Sequence, residues 1–167
     1  SVSTAAVELA GQMFDNLENR SALLLGAGEM IELTARYLVD TGLTSFVVAN
    51  RTVERAEQLA SRFNGEAIAL DAISTRLLET DIVISSTAAP GCVLDADVVR
   101  EVMSKRRGRP LFLIDIAVPR DIDPAVRDLD NVFLFDMDDL ESVVASNRQN
   151  REGEIRRVQE IVDDELG

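Results

Sequence analysis

Glycines and polar residues at the ends of two apolar runs have the types and the spacing needed to hold phosphate groups. Gly26 and Gly28 follow the apolar run Leu23–Leu25 and precede a stretch with helical spacing. The first glycine allows a tight turn out of a strand, and the second lets a pyrophosphate approach the N–H groups of a helix N-terminus. The third position of this pattern usually carries Gly or Ala, but here it is Ile31, which implies slightly wider packing of the helix on the strand.

A second polar group, Asn50-Arg51-Thr52, ends the next apolar run, about 20 residues further along the chain. A site for NAD places an acidic side chain here, which accepts hydrogen bonds from the ribose hydroxyls. The guanidinium of Arg51 suits the 2′-phosphate of NADP instead, and Arg55 could add charge one turn later. Thr52 could hydrogen-bond the same phosphate or cap the helix that begins at Val53. We therefore predict a preference for NADP.

A third polar stretch, Ser85–Pro90, follows another apolar run. In a doubly wound sheet, ligands lie outside the carboxyl ends of the strands, and small residues there would let a nicotinamide ribose approach the backbone. We expect Thr87 to contact the nicotinamide half, and an ordinary polar loop is the alternative. The predicted cofactor-binding residues are Gly26, Ala27, Gly28, Glu29, Met30, Ile31, Asn50, Arg51, Thr52 and Thr87.

Catalytic residues and metal ligands are not predicted in this chain. It contains no His, which excludes His-based acid–base catalysis, Ser-His-Asp triads and His-rich metal sites. Its single Cys, Cys92, cannot build a Cys-cluster zinc site and has no His or Lys close in sequence to activate it. We interpret Cys92 as a buried or incidental thiol. Asp115, in the rigid proline-containing stretch Ile114–Pro124, is predicted to serve loop structure.

Alternating strand and helix patterns must position these residues. Apolar runs predict strands at 21–25, 45–49, 66–70, 81–85, 111–116 and 131–135. Apolar residues at three- and four-residue spacing predict helices at 4–18, 28–40, 53–63, 72–79 and 95–106. The alternation predicts an α/β fold, a Rossmann-type doubly wound parallel sheet with flanking helices.

From Asp136 onward the chain is predicted to turn helical again. An apolar turn around Leu140 precedes the polar stretch 146–154, and an apolar stripe then resumes at Ile155, Val158, Ile161 and Val162. This pattern suits a connector or oligomerisation helix, and a frayed terminal helix is the alternative. We predict three parts: a leading helix (1–19) packed on the domain, an NADP-binding domain (20–135) and the start of a long connecting helix (136–167).

Acidic residues dominate the charge of the chain. The net charge is −13, and residues 121–167 hold 14 acidic and 5 basic residues. Such a surface repels phosphate backbones, so the chain alone is not expected to bind nucleic acid tightly. The short basic run Lys105–Arg109 is predicted to be a solvated helix end.

Targeting features are missing from the sequence. No apolar stretch approaches the roughly 18 residues of a membrane span, so no membrane partner is predicted. Ser1–Thr4 lack the basic and apolar regions of a signal peptide, and the single Cys fits a reducing, cytoplasmic compartment. The chain does not begin with Met, and we expect it to be a piece of a longer protein.

Together these residues resemble the glutamyl-tRNA reductase family. The matching stretches cover nearly the whole chain: 1–10, Gly26–Ala35, Asn50–Thr52 with Arg55-Ala56, Ile114–Pro124 and Asp136–Leu140. The resemblance implies an enzyme that reduces glutamyl-tRNA to glutamate-1-semialdehyde with NADPH, at the entry to tetrapyrrole (haem) synthesis. It also implies a homodimer formed through the region of the C-terminal helix.

In that family, a Cys of a separate N-terminal domain attacks the aminoacyl ester, and the resulting thioester receives hydride. Cys92 does not match the motif of that Cys, so the resemblance implies an NADPH-binding domain that is inactive alone. Two alternatives stay open. One is the cofactor domain of a shikimate-dehydrogenase-like NADP oxidoreductase, because that family also uses Asn-Arg-Thr. The other is a non-catalytic nucleotide-sensing domain, although such domains usually carry an acid at the end of the second strand.

Overall fold

Six parallel strands form the centre of the structure, a computed structural model that describes residues 1–146 and residue 149. The strands are β1 (Ser21–Leu25), β2 (Ser45–Asn50), β3 (Glu66–Ala69), β4 (Ile82–Ser85), β5 (Leu111–Asp115) and β6 (Val132–Asp136). Their order in the sheet is β3-β2-β1-β4-β5-β6. This is the doubly wound order of a Rossmann-type sheet, and the predicted fold class is confirmed.

The strand order reverses between β1 and β4, which are neighbours in the sheet. Leu25, the last residue of β1, pairs in register with Ala49 on one side and Ser85 on the other. The carboxyl ends of β1, β2 and β4 therefore lie side by side. In such sheets, this edge at the point of reversal is where ligands bind.

Helices cover both faces of the sheet. They are α1 (Val2–Met13), α2 (Glu29–Asp40), α3 (Val53–Arg62), α4 (Ile73–Leu77) and α5 (Ala96–Lys105). One face packs against α1, α2, α3 and the helical residues 137–146, with a core that includes Ala22, Leu24, Val48, Ile82, Ile84 and Ile114. The other face packs against α4 and α5, with Leu23, Leu25, Ala49, Val83, Leu111 and Leu113. Burial on both faces explains why these strands read as continuous apolar runs.

The first helix is shorter than predicted. The spacing predicts a helix to residue 18, but α1 ends at Met13 because Phe14 adopts extended backbone angles, φ −129° and ψ 135°. The Phe14 ring then packs edge-on against Phe112 of β5, with 5.2 Å between ring centroids. Leu17 is buried from a non-helical position. The apolar spacing continued past the true end of the helix because these side chains still face the core.

Two short 3₁₀ helices also differ from the prediction. The expected helix at 72–79 is a 3₁₀ turn, Leu70–Ala72, followed by α4, which ends at Leu77. A second 3₁₀ helix, Pro124–Asp128, was not predicted. Asp123 caps it by accepting a hydrogen bond from the N–H of Ala125 at 2.9 Å. Such short turns lack the repeated apolar spacing on which helix prediction depends.

In the basic run Lys105–Arg109 at the end of α5, four residues are exposed, as predicted for a solvated helix end, and Arg106 is the exception. Arg106 is 5% exposed, and its guanidinium donates to the carbonyl oxygens of Leu77, Thr80 at 2.7 Å and Pro110 at 2.7 Å. Burial lowers the pKa of Arg106 from its ordinary value. Arg106 therefore connects α5 to the end of α4 and to the start of β5, and it satisfies the buried carbonyl groups of Leu77 and Thr80.

Residues 137–146 are helical, as predicted from Asp136 onward. Asp136 accepts a hydrogen bond from the N–H of Asp139 at 3.0 Å, and Asp139 accepts one from the N–H of Asp136 at 2.9 Å. This reciprocal pair is a capping box, and Leu140 enters the core one turn later. The predicted apolar stripe at Ile155–Val162 lies outside the described residues, and the division at residues 19 and 135 stays a prediction.

None of the helices in the described part of the chain combines the length and the apolar character that crossing a bilayer requires.

Candidate dinucleotide-binding site

Gly26 makes the turn out of β1 at the carboxyl edge of the sheet. Its φ is +112°, in the region that favours glycine, and its N–H donates to the carbonyl oxygen of Ala49 at 2.8 Å. A Cβ at this position would collide with the backbone carbonyl group of Ser86. The sequence therefore needs glycine here for both angle and space, as the pattern predicted.

Gly28 lies at the N-cap of α2, and its surroundings are open where those of Gly26 are crowded. It is exposed, and no described atom outside its two chain neighbours lies within 4 Å of the place that a Cβ would take. No described side chain caps α2, and the first helical hydrogen bond runs from the N–H of Glu32 to the carbonyl of Gly28 at 3.0 Å. The preceding N–H groups, those of residues 28–31, thus have no acceptor within the helix. An anion at this open terminus would meet free donors and the positive end of the helix dipole.

The side chains that follow Gly28 differ in their exposure to the open space at the N-terminus of α2. Ile31 is fully buried and touches a ligand only through its backbone, whereas Glu29 and Met30 are exposed. The Ile31 side chain lies beneath the turn, with its Cγ1 3.4 Å from the place of a Gly26 Cβ. The hydroxyl of Ser3 in α1 donates to the carbonyl of Met30 at 3.3 Å, which anchors α1 against the start of α2.

Asn50-Arg51-Thr52 lies at the end of β2, next to the glycine turn. The side-chain amide of Asn50 donates to the carbonyl of Thr52 at 3.1 Å, which closes the connection to α3. Thr52 occupies the N-cap position of α3, but its side chain makes no capping hydrogen bond. Arg51 and Arg55 are exposed and have no hydrogen bond or ion pair to any of residues 1–146 or 149. Both guanidinium groups and the Thr52 hydroxyl are therefore available to a phosphate.

Thr87 follows β4 across the edge and is held by Asp121. The Thr87 N–H donates to Asp121 Oδ2 at 2.8 Å, and the Thr87 hydroxyl donates to Asp121 Oδ1. Ser85 also donates its hydroxyl to Asp121 Oδ2, at 2.6 Å. Thr87 Oγ1 accepts from the N–H of Ala89 at 3.2 Å. The loop is thus held by specific side-chain hydrogen bonds, and the contact of Thr87 with a nicotinamide half stays a prediction.

Asp115 serves the structure of the neighbouring loop, as predicted. It is 1% exposed and accepts hydrogen bonds from the N–H groups of Ala117 at 3.1 Å, Asp121 at 3.0 Å and Ile122 at 2.9 Å. Burial raises the pKa of Asp115 from its ordinary value, against the lowering effect of these hydrogen bonds.

Cys92 is exposed, so of its two interpretations, a buried thiol or an incidental one, the first is wrong. Desolvation raises the pKa of the thiol, and the carboxylates of Asp123 and Asp115 raise it further. A raised pKa means less thiolate at neutral pH, which is unlike an activated nucleophile. Among the residues that the structure describes, no three His, Cys, Asp or Glu side chains are grouped as metal ligands.

Sequence reasoning did not single out Asp121, which is fully buried and joins the loops after β4 and β5. The sequence does not indicate the role of Asp121, because the run Pro119–Pro124 alternates charged, apolar and proline residues and resembles a solvated turn. The signal that could have found it is the polar loop Ser85–Pro90, whose donors need an acceptor from a neighbouring strand end.

A comparison with protein-family models matches residues 8–143 to the family described as shikimate / quinate 5-dehydrogenase. The chain belongs to this family. The family and the fold support a nicotinamide dinucleotide as the ligand of this edge.

Glutamyl-tRNA reductases from several organisms are similar to this chain, with identities of about half. The chain is 51% identical over 99% of its length to that of Trichlorobacter lovleyi, and 52% identical over 97% to that of Solidesulfovibrio magneticus. It covers 38% and 36% of these two proteins. The solved structure of the glutamyl-tRNA reductase from Methanopyrus kandleri is 41% identical and superposes with a TM-score of 0.84. The match covers 99% of this chain and 42% of the Methanopyrus kandleri chain.

These matches confirm the resemblance to glutamyl-tRNA reductase that the glycine turn, Asn50–Thr52 and Ile114–Pro124 predict. Within the matched family, these similarities favour glutamyl-tRNA reductase over the alternative of a shikimate-dehydrogenase-like oxidoreductase. The chain spans little more than a third of the length of these curated relatives.

Proposed function

We propose that this chain is the NADPH-binding domain of a glutamyl-tRNA reductase. When bound, NADPH supplies the hydride that reduces a glutamyl thioester, held by a Cys on another domain, to glutamate-1-semialdehyde in tetrapyrrole synthesis. The full-length protein would act on glutamyl-tRNA in the cytoplasm and form a homodimer through the region of the C-terminal helix.

The observation that carries the proposal is the pairing of an open helix N-terminus with free arginines at adjacent strand ends. Space above Gly28 and uncapped N–H groups of α2 fit a pyrophosphate. Arg51, at the end of the next strand, is exposed where an NAD site would carry an acid. The residues present therefore fit a 2′-phosphorylated dinucleotide.

Each predicted site residue has a role in this proposal. The backbone of Gly26–Ile31 cradles the pyrophosphate, since residues 28–31 supply N–H donors. Asn50, Arg51 and Thr52 recognise the 2′-phosphate, with Arg51 forming the charged hydrogen bonds. Thr87 contacts the nicotinamide half from the loop after β4. The acidic surface leaves tRNA binding to other parts of the full-length protein.

Calorimetric titration of the 167-residue chain with NADPH and NADH tests the proposal. NADPH should bind more tightly, and Arg51→Ala should weaken NADPH about tenfold or more, because a hydrogen bond to a charged group contributes about 1.5–3 kcal/mol. NADH affinity should stay nearly unchanged, since NADH carries no 2′-phosphate.

Arg100→Ala is the matched control. Arg100 is an exposed arginine of α5, on the other side of the sheet from α3, and pairs with Asp97. Its loss changes the net charge by the same amount and should leave both affinities unchanged. Equal weakening of NADPH and NADH by Arg51→Ala would contradict the 2′-phosphate role.

A further inference from the structure

Asp121 is a fully buried carboxylate that accepts three hydrogen bonds from the loop after β4. The donors are the Ser85 hydroxyl, the Thr87 hydroxyl and the Thr87 N–H. No Lys or Arg within residues 1–146 forms an ion pair with it. A buried carboxylate without a cation is costly and is compensated here only by hydrogen bonds.

The backbone of Asp121 also makes three hydrogen bonds, as its side chain does. Its N–H donates to Asp115 Oδ2 at 3.0 Å, and its carbonyl oxygen accepts from the N–H groups of Val93 at 2.6 Å and Leu94 at 3.0 Å. Asp121 thus joins the loop after β4, the end of β5 and the segment that leads into α5. Two carboxylates in series, Asp115 and Asp121, set the position of Thr87 relative to the sheet.

This cluster lies on one side of the point where the strand order reverses. Sheets of this order bind a dinucleotide across that point, with one mononucleotide on each half. Arg51 and the glycine turn lie on the half formed by β1, β2 and β3, whereas Thr87 follows β4. A residue that fixes the loop after β4 therefore acts on the nicotinamide half and not on the adenosine half.

The hydroxyl of Thr87 has little capacity left for a ligand. Its proton goes to Asp121, and one lone pair accepts from the N–H of Ala89, so one lone pair remains. What the loop offers to a nicotinamide ribose is thus mainly a backbone held at a fixed distance from the sheet.

We infer that Asp121 is a positioning residue for the nicotinamide half of the cofactor, acting by holding the backbone and hydroxyl of Thr87 at the carboxyl edge of β4. The inference rests on the proposed function and adds to it a residue that does not touch the cofactor.

The test compares NADPH with 2′,5′-ADP, which carries the 2′-phosphate and adenosine but no nicotinamide half. Asp121→Asn keeps the shape but replaces one acceptor oxygen with a donor, so at least one of the three hydrogen bonds that Asp121 accepts must be lost or reversed. We expect calorimetry to show NADPH about tenfold weaker, with the affinity for 2′,5′-ADP changed less than about twofold.

Asp123→Asn is the matched control in the same loop. Asp123 caps the 3₁₀ helix Pro124–Asp128, and Asn performs that role equally well, so both affinities should stay unchanged. Thr87→Val breaks the same contact from its other side and should reproduce the selective loss. It decides the question even if Asp121→Asn does not fold.

Equal weakening of both ligands by Asp121→Asn and Thr87→Val would show a merely structural role, and no weakening of either would remove the role altogether. Arg51→Ala separates this inference from the 2′-phosphate assignment, because it should weaken both ligands. If Arg51→Ala changes neither affinity while Asp121→Asn weakens NADPH alone, the 2′-phosphate assignment is wrong and the inference stands. A chain that binds neither ligand contradicts both.

Discussion

Gly26 and Gly28 belong to one turn, yet the fold requires glycine only at Gly26. At Gly26, the positive φ and the carbonyl of Ser86 exclude a side chain. At Gly28, φ is −85° and the surrounding space is open, so the protein fold itself tolerates a side chain. We interpret the first glycine as a requirement of folding and the second as a requirement of binding.

Alanine at each position separates these roles. Gly26→Ala should lower the free energy of unfolding by about 2–4 kcal/mol, because it combines backbone strain with a steric collision. Gly28→Ala should cost less than about 1 kcal/mol of stability. It should weaken NADPH by at least about tenfold, because its methyl group lies where the pyrophosphate approaches the N–H donors.

Urea denaturation and calorimetric titration of both variants measure these effects. If Gly28→Ala bound NADPH as tightly as the unchanged chain, the pyrophosphate would not approach α2 at this residue.

The residues whose role depends on local chain geometry could be predicted from the sequence, whereas those whose partners are distant in sequence could not. Gly26, Gly28 and Arg51 follow directly from strand ends and their spacing. Asp121 binds a loop 34 residues away, and Arg106 binds a carbonyl group 29 residues away. No spacing pattern carries such contacts, because only the completed sheet brings these segments together.

At the scale of the elements, the sheet and the ends of α2, α3 and α5 were predictable, whereas the end of α1 and the short helices were not. All six strands lie within one or two residues of their predicted bounds, because continuous apolar runs mark strands that are buried on both faces. The end of α1 and the 3₁₀ helix Pro124–Asp128 depend on single residues, an extended Phe14 and a capping Asp123. The spacing of apolar residues does not predict where a single residue ends or begins a helix.

The junction between β6 and the helical residues 137–146 is expected to depend on pH. The N–H of Asp139 and the guanidinium groups of Arg120 and Arg127 hold the pKa of Asp136 below its ordinary value of 3.8. Because the pKa is lower in the folded state, the ionised form stabilises the fold above the unfolded-state pKa, and this stability is lost as pH falls through the folded-state pKa.

Comparison with Asp136→Asn isolates this effect, since Asn keeps the N-cap but does not titrate. The unchanged chain should be more stable than the variant by a constant difference above about pH 5, and the difference should shrink below the ordinary aspartate pKa. Urea denaturation at a series of pH values measures it. A difference that persists at low pH would mean that the charge of Asp136 does not stabilise the junction.

At the scale of the whole molecule, the proposed function gives the chain one half of a reaction. Its single Cys has a raised pKa and acidic neighbours, and it contains no His. In the proposed function, the nucleophile belongs to a separate domain of the full-length protein. The charge of −13 is consistent with the proposal that other parts of that protein hold the tRNA.

The 167-residue chain alone should therefore bind NADPH without consuming it in the presence of glutamyl-tRNA. Loss of NADPH absorbance and formation of glutamate-1-semialdehyde are the readouts, with a full-length glutamyl-tRNA reductase as the positive control. If the chain alone produced the semialdehyde, the assignment of the nucleophile to another domain would be wrong.

The most direct test of the central claim is to map NADPH onto the chain by the backbone amide chemical shifts of ¹⁵N-labelled protein. The account predicts that the largest shifts occur in three segments at the carboxyl edge of the sheet: Gly26–Ile31, Asn50–Thr52 and the loop that contains Thr87. Shifts concentrated elsewhere would contradict it, for instance along the apolar groove between α1 and residues 137–146 that Val2, Ala5 and Leu140 line.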